Sequence, residues 1–304
     1  MLDRSSSKKV VSKAPWGYRA RRRWQLLVAV ALALIPTPAA WADSAFDTSI
    51  AKIETRLKGR VGVFAMRGPA KLGYRSGERF AYCSTFKWVL AAAVLKGVDG
   101  GELDLTRVVP YKKEDLLAYS PVTGKHVQDG GMGIGDLCAA TIITSDNTAA
   151  NLLYPLVGGP TGLQDFVRSM NDPITRFDRM EPELNSNLRG DPRDTTTPEA
   201  MTRLLQNVLE SERLSKASRN QLLSWMKATV TGHGRIRAAV PQGWVIGNKT
   251  GTGNRGAVND VAIILPPKGE PIYLSVFTDD DRSDLKAHEE AIAEIAKQVL
   301  EALP

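Results

Sequence analysis

Three short polar runs could together perform nucleophilic chemistry. Ser84-Thr85-Phe86-Lys87 sets a hydroxyl and an amine three residues apart. On a helix those positions share a face, so the Lys87 ammonium can reach the Ser84 hydroxyl. A serine needs a nearby base to become a useful nucleophile, and a lysine of lowered pKa can serve. The spacing alone selects nothing, because Ser5, Ser6, Ser224 and Ser283 also begin Ser-x-x-Lys runs. Such a run on its own reads as a solvated helix face. Position separates Ser84. It follows a strand-like Phe80-Ala81-Tyr82 and opens an apolar helix, Trp88 to Leu95. Backbone N–H groups at a helix start favour charge developing on a substrate oxygen.

Ser145-Asp146-Asn147 supplies a second hydroxyl, a carboxylate and an amide. Taken alone it reads as an Asx-type cap for a helix beginning near Thr148. Lys249-Thr250-Gly251 ends a strand-like run from Trp244. Lysine inside a strand is usually an edge residue facing solvent. The glycines that follow let another group approach the backbone closely, which suits an edge that binds ligand. Gly251, Gly253 and Gly256 also match a dinucleotide-binding spacing. That fingerprint must open a helix, and here the strand-like Val261 to Leu265 follows, so the match is rejected.

These runs need elements to hold them. Phe46, Ile50, Ile53 and Leu57 recur at helical spacing near the start of the chain. Strand-like runs follow at Val61 to Met66 and Leu72 to Tyr74. A mostly helical stretch runs from Thr85 to Met226, with Thr197 as N-cap and Pro198 at the first position of one helix. Strands return at Trp244 to Lys249, Asp260 to Leu265 and Ile272 to Thr278, and an amphipathic helix bearing Ile292, Ile295, Val299 and Leu303 closes the chain. The expected fold class is α/β, an α+β sandwich. An antiparallel sheet built from both chain ends is flanked by N- and C-terminal helices. An all-helical domain sits beside it, with the active site in the cleft between them.

The net charge of +7 belongs to the leader. Residues 1–42 hold Arg4, Lys8, Lys9, Lys13, Arg19, Arg21, Arg22 and Arg23 against Asp3. The remainder carries equal numbers of basic and acidic residues, which argues against a nucleic-acid partner. Arg19 to Arg23, the apolar run Leu26 to Ile35 and Ala40-Trp41-Ala42 read as a secretory signal peptide over 1–42. The apolar run is too short to span a bilayer. The expected destination is the periplasm, by the general secretory or the twin-arginine route, with no stable membrane association after cleavage. His126, His233 and His288 lack zinc-site spacing, so no metal is expected. Cys83 and Cys138 could form one disulfide or remain two buried thiols.

In this order and spacing, Ser-x-x-Lys, Ser-Asp-Asn and Lys-Thr-Gly resemble the penicillin-recognising serine enzymes. Arg179-Met180-Glu181-Pro182-Glu183-Leu184-Asn185 and Asp191-Pro192-Arg193-Asp194 resemble the two ends of the omega loop of class A β-lactamases. Tyr119-Ser120-Pro121-Val122 is similar to that family's segment at the cleft rim. The resemblance implies a sheet domain over 43–76 and 227–304, and a helical domain over 77–226 that includes an omega loop at 176–194. It implies Arg179 and Asp194 paired across the loop's neck. It also implies hydrolysis of penicillins and cephalosporins through an acyl-enzyme, and so antibiotic resistance, and leaves carbapenems open as a third substrate group.

Ser84 would be the nucleophile. Lys87 or Glu181 would be the acylation base and Ser145 the proton donor to the leaving nitrogen. Glu181 would activate the hydrolytic water, with Asn185 helping to hold it. The N–H groups of Ser84 and Thr252 would form the oxyanion hole. Lys249, Thr250, Gly251, Thr252 and Arg235 would line the carboxylate site. Asn147 would contact the substrate's side-chain amide, and Tyr119 would stand at the rim. Lys249 would favour a neutral Lys87 by like-charge repulsion. No cofactor is implied, and the partners are small β-lactams bound by a monomer. Some relatives carry a disulfide whose positions here are Cys83 and Gly253, and others one whose positions are Cys138 and Ala91. Neither can form, and a Cys83–Cys138 bond is not expected. Two readings compete. A D,D-peptidase shares the serine, lysine and Lys-Thr-Gly but lacks the Glu181 loop, and a β-lactam sensor acylates without hydrolysis.

Overall fold

The computed structural model describes residues 38–280 and 284–303. The expected leader lies outside them, apart from its last residues, as do Ser5, Ser6 and Ser283. Helix α1 (Pro38–Leu57) leads into strands β1 (Arg60–Arg67) and β2 (Ala70–Tyr74). Strand β3 (Phe80–Ala81) and a 3₁₀ turn, Cys83–Phe86, run into helix α2 (Lys87–Asp99). Next come β4 (Val108–Pro110), α3 (Thr123–His126), β5 (Gly131–Gly133), α4 (Ile134–Ile143), α5 (Asn147–Leu153) and α6 (Gly159–Ser169). The 176–194 segment holds only the short turn Glu183–Asn185 and ends at β6 (Thr195–Thr196). Helices α7 (Pro198–Glu210), α8 (Lys216–Lys227) and α9 (Ile236–Ala239) follow. Strands β7 (Val245–Thr252), β8 (Val258–Leu265), β9 (Ile272–Asp279) and helix α10 (Leu285–Ala302) close the chain.

Five strands form one antiparallel sheet in the order β2-β1-β9-β8-β7. The two chain ends meet at its centre, where Val63 of β1 faces Val276 of β9. Alternate residues of a strand point to opposite faces. Val61, Val63 and Ala65 therefore join Ile50 and Ile53 of α1 and Ile292, Ile295 and Val299 of α10 in one apolar core. Phe64 and Met66 turn to the other face and join the core of the helical region. Helix α2 is the hub of that second core. Every residue from Lys87 to Leu95 is buried, as expected of a helix apolar all round.

Local signals explain the other boundaries. Thr197 caps α7 by accepting the Ala200 N–H, with Pro198 in the first turn, as the sequence predicts. Gly251, Gly253 and Gly256 fall on β7 and its hairpin turn to β8, away from any helix start. Ser224 is exposed on α8. Both cysteines are free and buried.

Candidate active site

Ser84 differs from its expected setting in one respect. It lies on the 3₁₀ turn before α2, and Lys87 is the helix's first residue. In a 3₁₀ turn residues three apart eclipse one another, so the pair still shares a face. The turn is closed by the Tyr82 carbonyl, which accepts bonds from the Thr85 N–H and the Thr85 hydroxyl. Cys83 takes φ +48°, a left-handed conformation costly for a residue with a side chain. The turn packs directly on the Lys-Thr-Gly strand. A Cβ added at Gly251 would stand 2.7 Å from the Tyr82 carbonyl oxygen and 3.2 Å from the Cys83 Cβ. The close neighbour that this glycine admits is thus the nucleophile turn itself.

The polar side chains converge on one network. The half-buried Ser84 hydroxyl donates to Glu181 Oε1 at 3.2 Å. Its bond goes to Glu181 and not to Lys87. Lys87 Nζ instead donates to the Ser145 carbonyl at 2.8 Å, Asn147 Oδ1 at 2.5 Å and, weakly, Ser145 Oγ at 3.4 Å. It also ion-pairs with Glu181 Oε1 at 3.1 Å. Lys249 Nζ donates to Ser145 Oγ at 3.0 Å and to the Thr250 carbonyl. The Ser145 oxygen thus accepts from two ammonium groups, which leaves its own proton free to be given away.

Both lysines are fully buried. Burial pushes Lys87 below the ordinary lysine pKa, and the Glu181 carboxylate opposes that shift. Burial pushes Lys249 further down, and the neighbouring Lys87 charge adds to the effect. Desolvation is therefore what lowers Lys87, and the like-charge repulsion expected from Lys249 falls on Lys249 itself. Burial likewise raises the Cys83 thiol, an inert neighbour of the nucleophile.

Ser-Asp-Asn serves two purposes. Ser145, at φ +65°, turns its hydroxyl between the two lysines. Asp146 caps α5 through the Ala149 N–H, as the plain reading of the sequence has it. The same carboxylate accepts the N–H groups of Val122 and Thr123, fixing the rim segment. On that rim Tyr119 is 52% exposed, and its carbonyl accepts the Asn147 N–H.

The 176–194 loop presents Glu181, which is 2% exposed. Arg179 Nε meets Asp194 Oδ2 at 2.5 Å, so the two close the neck as expected. Asn185 Nδ2 donates to Glu181 Oε2 at 2.5 Å. The sequence reading missed Asn151. This α5 side chain donates to the Glu181 carbonyl at 2.8 Å and accepts the Glu181 N–H at 3.1 Å, gripping the backbone on both sides. Its position four residues after Asn147, one turn along the same helix, was the only signal.

Strand β7 is an edge strand, yet Lys249 on it is buried because the nucleophile turn covers that edge. The Gly253 N–H bonds to the Ala257 carbonyl. Alternation along the ladder then turns the Thr252 N–H away from β8, to the edge that the nucleophile turn covers. Arg235 is 4% exposed and lies against the strand, donating to the Gly251 carbonyl and to Thr252 Oγ1 at 2.8 Å. The Thr250 hydroxyl shares a hydrogen bond with Thr231.

Behind Lys249, the buried Asp260 accepts from Asn248 Nδ2 and the Ile236 N–H. Burial raises its carboxyl to about 6 against those bonds and the Arg235 charge. Its side-chain resonance should titrate near pH 6 in the carbon NMR spectrum of the folded enzyme. A midpoint at the ordinary aspartate value would refute this. A folded pKa above the unfolded one means that ionisation costs the native state. This contribution to stability is intact below about pH 4 and disappears as pH rises through about 6, on the order of 3 kcal/mol in all.

The model of the β-lactamase enzyme family matches residues 45–303. Among solved structures, a class A β-lactamase named as the last common ancestor of Gram-negative bacteria (GNCA4) is 49% identical. Its TM-score is 0.84, over 86% of this chain and 100% of that one. An ancestral class A β-lactamase (GNCA) is also 49% identical, with a TM-score of 0.82 over 84% of this chain and 99% of that one. A chain from Rhodopseudomonas palustris, described as a class A β-lactamase, PenP, is 45% identical, with a TM-score of 0.83 over 85% and 99%. The match runs through the sheet, the helical region and the loop carrying Glu181, and on that ground this chain belongs to the class A β-lactamases, a family of serine hydrolases.

Proposed function

We propose that the enzyme hydrolyses penicillins and cephalosporins, with carbapenems a further candidate class, and thereby confers resistance to them. The observation that carries the reading is Glu181 Oε1 at 3.2 Å from Ser84 Oγ. A D,D-peptidase built on the same serine and lysines lacks the loop that carries this carboxylate, and a sensor has no use for a base that activates water. Ser84 Oγ attacks the lactam carbonyl as its proton passes to the Glu181–Lys87 pair. The Ser84 and Thr252 N–H groups stabilise the oxyanion. The C–N bond then breaks, Ser145 gives its proton to the ring nitrogen, and the proton taken from Ser84 passes through Lys87 to Ser145, which leaves Glu181 a carboxylate again. Glu181 next takes a proton from water, with Asn185 helping to hold that water. The water oxygen attacks the ester, and Ser84 leaves with its proton restored. Lys249, Thr250, Gly251 and Thr252, with Arg235 behind them, offer cationic and hydroxyl contacts to the substrate carboxylate, and Asn147 one to its side-chain amide. No cofactor enters these steps. The proposed setting is the periplasm, reached by signal-directed export, with the enzyme acting as a monomer.

Stopped-flow mixing with a chromogenic cephalosporin and with a penicillin tests the reading. Sustained release far beyond the enzyme concentration is expected. A burst that stops at stoichiometric product would identify a sensor, and turnover only of D-alanyl peptides a peptidase.

A further inference from the structure

Tyr82 is the residue where the nucleophile turn meets both limbs of the Glu181 loop. It is fully buried. Its hydroxyl donates to Asp194 Oδ1 at 3.0 Å, and its N–H to the Asp194 carbonyl at 3.2 Å. Its ring lies 5.3 Å from that of Phe177 on the loop's incoming limb and 5.7 Å from that of Phe86 on the nucleophile turn. Its carbonyl closes the turn through Thr85 and also accepts from Asn259 Nδ2 on β8. The next residue is the strained Cys83, and Ser84 follows.

The Asp194 carboxylate has no exposure and takes φ +55°. Its Oδ1 also accepts the Asp178 and Arg179 N–H groups at 2.9 Å each, and Oδ2 meets Arg179 Nε. All the donors except Tyr82 belong to the loop itself. Without the phenol, the Asp194 carboxylate would bind only the loop itself, and backbone pairing alone, through the Tyr82 N–H and the β3–β6 ladder, would hold the neck to the nucleophile turn. Burial, and then the neighbouring Tyr154 and Asp194, hold the phenol well above its ordinary pKa, so it remains a donor.

We infer that Tyr82 is a positioning residue whose hydroxyl sets the loop's neck against the nucleophile turn, fixing Glu181 relative to Ser84 for the hydrolytic half of the reaction. The inference rests on the acyl-enzyme reading above. Hydrolysis is the sensitive half. Acylation moves a proton among groups already in contact, Ser84, Glu181 and Lys87, on a turn that Tyr82's ring and carbonyl support. Hydrolysis needs a water held between the loop and the ester, and small misplacements of catalytic groups cost up to about 10²-fold in rate.

Tyr82→Phe tests this, because it removes one oxygen and keeps the ring contacts. Acylation is measured by single-turnover mixing with a penicillin, and hydrolysis by the decay of the preformed Ser84 adduct in mass spectra. The expected result is adduct decay slowed about tenfold or more, with acylation within about twofold of wild type. In the steady state kcat and KM then fall together and kcat/KM holds. Equal losses in both steps would mark a general structural role and overturn the inference. So would a lowered melting temperature with unchanged decay. If the wild type forms no adduct and turns nothing over, the acyl-enzyme reading fails. If it turns over and Tyr82→Phe matches it in both steps, only the inference about Tyr82 fails.

Discussion

Glu181→Ala should take up penicillin once and then stop. Mass spectrometry after mixing should show a persistent adduct on Ser84, where the wild type returns to its bare mass. The loop should survive the change. Asn151 grips the Glu181 backbone rather than its side chain, and Arg179 and Asp194 close the neck independently. Lys87 keeps the Ser145 carbonyl and Asn147 as acceptors. What disappears is the carboxylate that touches Ser84 at 3.2 Å and that Asn185 orients. General-base help of this kind is worth about 10²–10⁴ in rate. Full activity in this variant would remove Glu181 from the mechanism.

Lys87→Met should fail one step earlier, and no adduct should accumulate. The substitution keeps an unbranched apolar stem and deletes the terminal nitrogen with its charge. It removes the donor shared by Asn147, Ser145 and Glu181, and leaves the Glu181 carboxylate buried without its cation. Acylation should fall by about 10²–10⁴, and stability by about 3–5 kcal/mol, the usual cost of breaking a buried pair. Urea titration checks the second and single-turnover mixing the first. The two variants together decide the acylation base. If Glu181→Ala acylates at the wild-type rate and Lys87→Met does not, the proton of Ser84 passes to Lys87. If both lose acylation, Glu181 is the acceptor and Lys87 sets its position, which agrees with the hydroxyl bonding to Glu181.

Much of this was legible because it is written in local chemistry. Strand-like runs marked the sheet strands, and Thr197-Pro198 marked the start of α7. The ordered trio of motifs and the two ends of the loop selected Ser84 from the other serines that begin Ser-x-x-Lys runs. What stayed hidden depends on tertiary approach. Lys249 reads as a solvent-facing edge lysine, and it is buried because a turn from far upstream lies against Gly251. Asn151 and Tyr82 look like an ordinary helix amide and a core aromatic, and only the folded loop supplies their partners. The preference of Ser84 for Glu181 over Lys87 depends on fractions of an ångström that spacing cannot encode.

The meeting of β1 with β9 at the centre of the sheet also governs how the molecule forms. Arg60 finds its strand partner only at Asp279, near the far end of the chain. Contacts of such long separation demand costly loop closure before they repay it, and they slow folding. Helices around α2 can collapse early on neighbouring sequence. The edge strand that covers Ser84 waits for β8 and β9 to dock. A nascent or truncated chain lacking β9 would hold its serine and lysines without the sheet that aligns them, so catalytic competence is among the last properties this chain acquires.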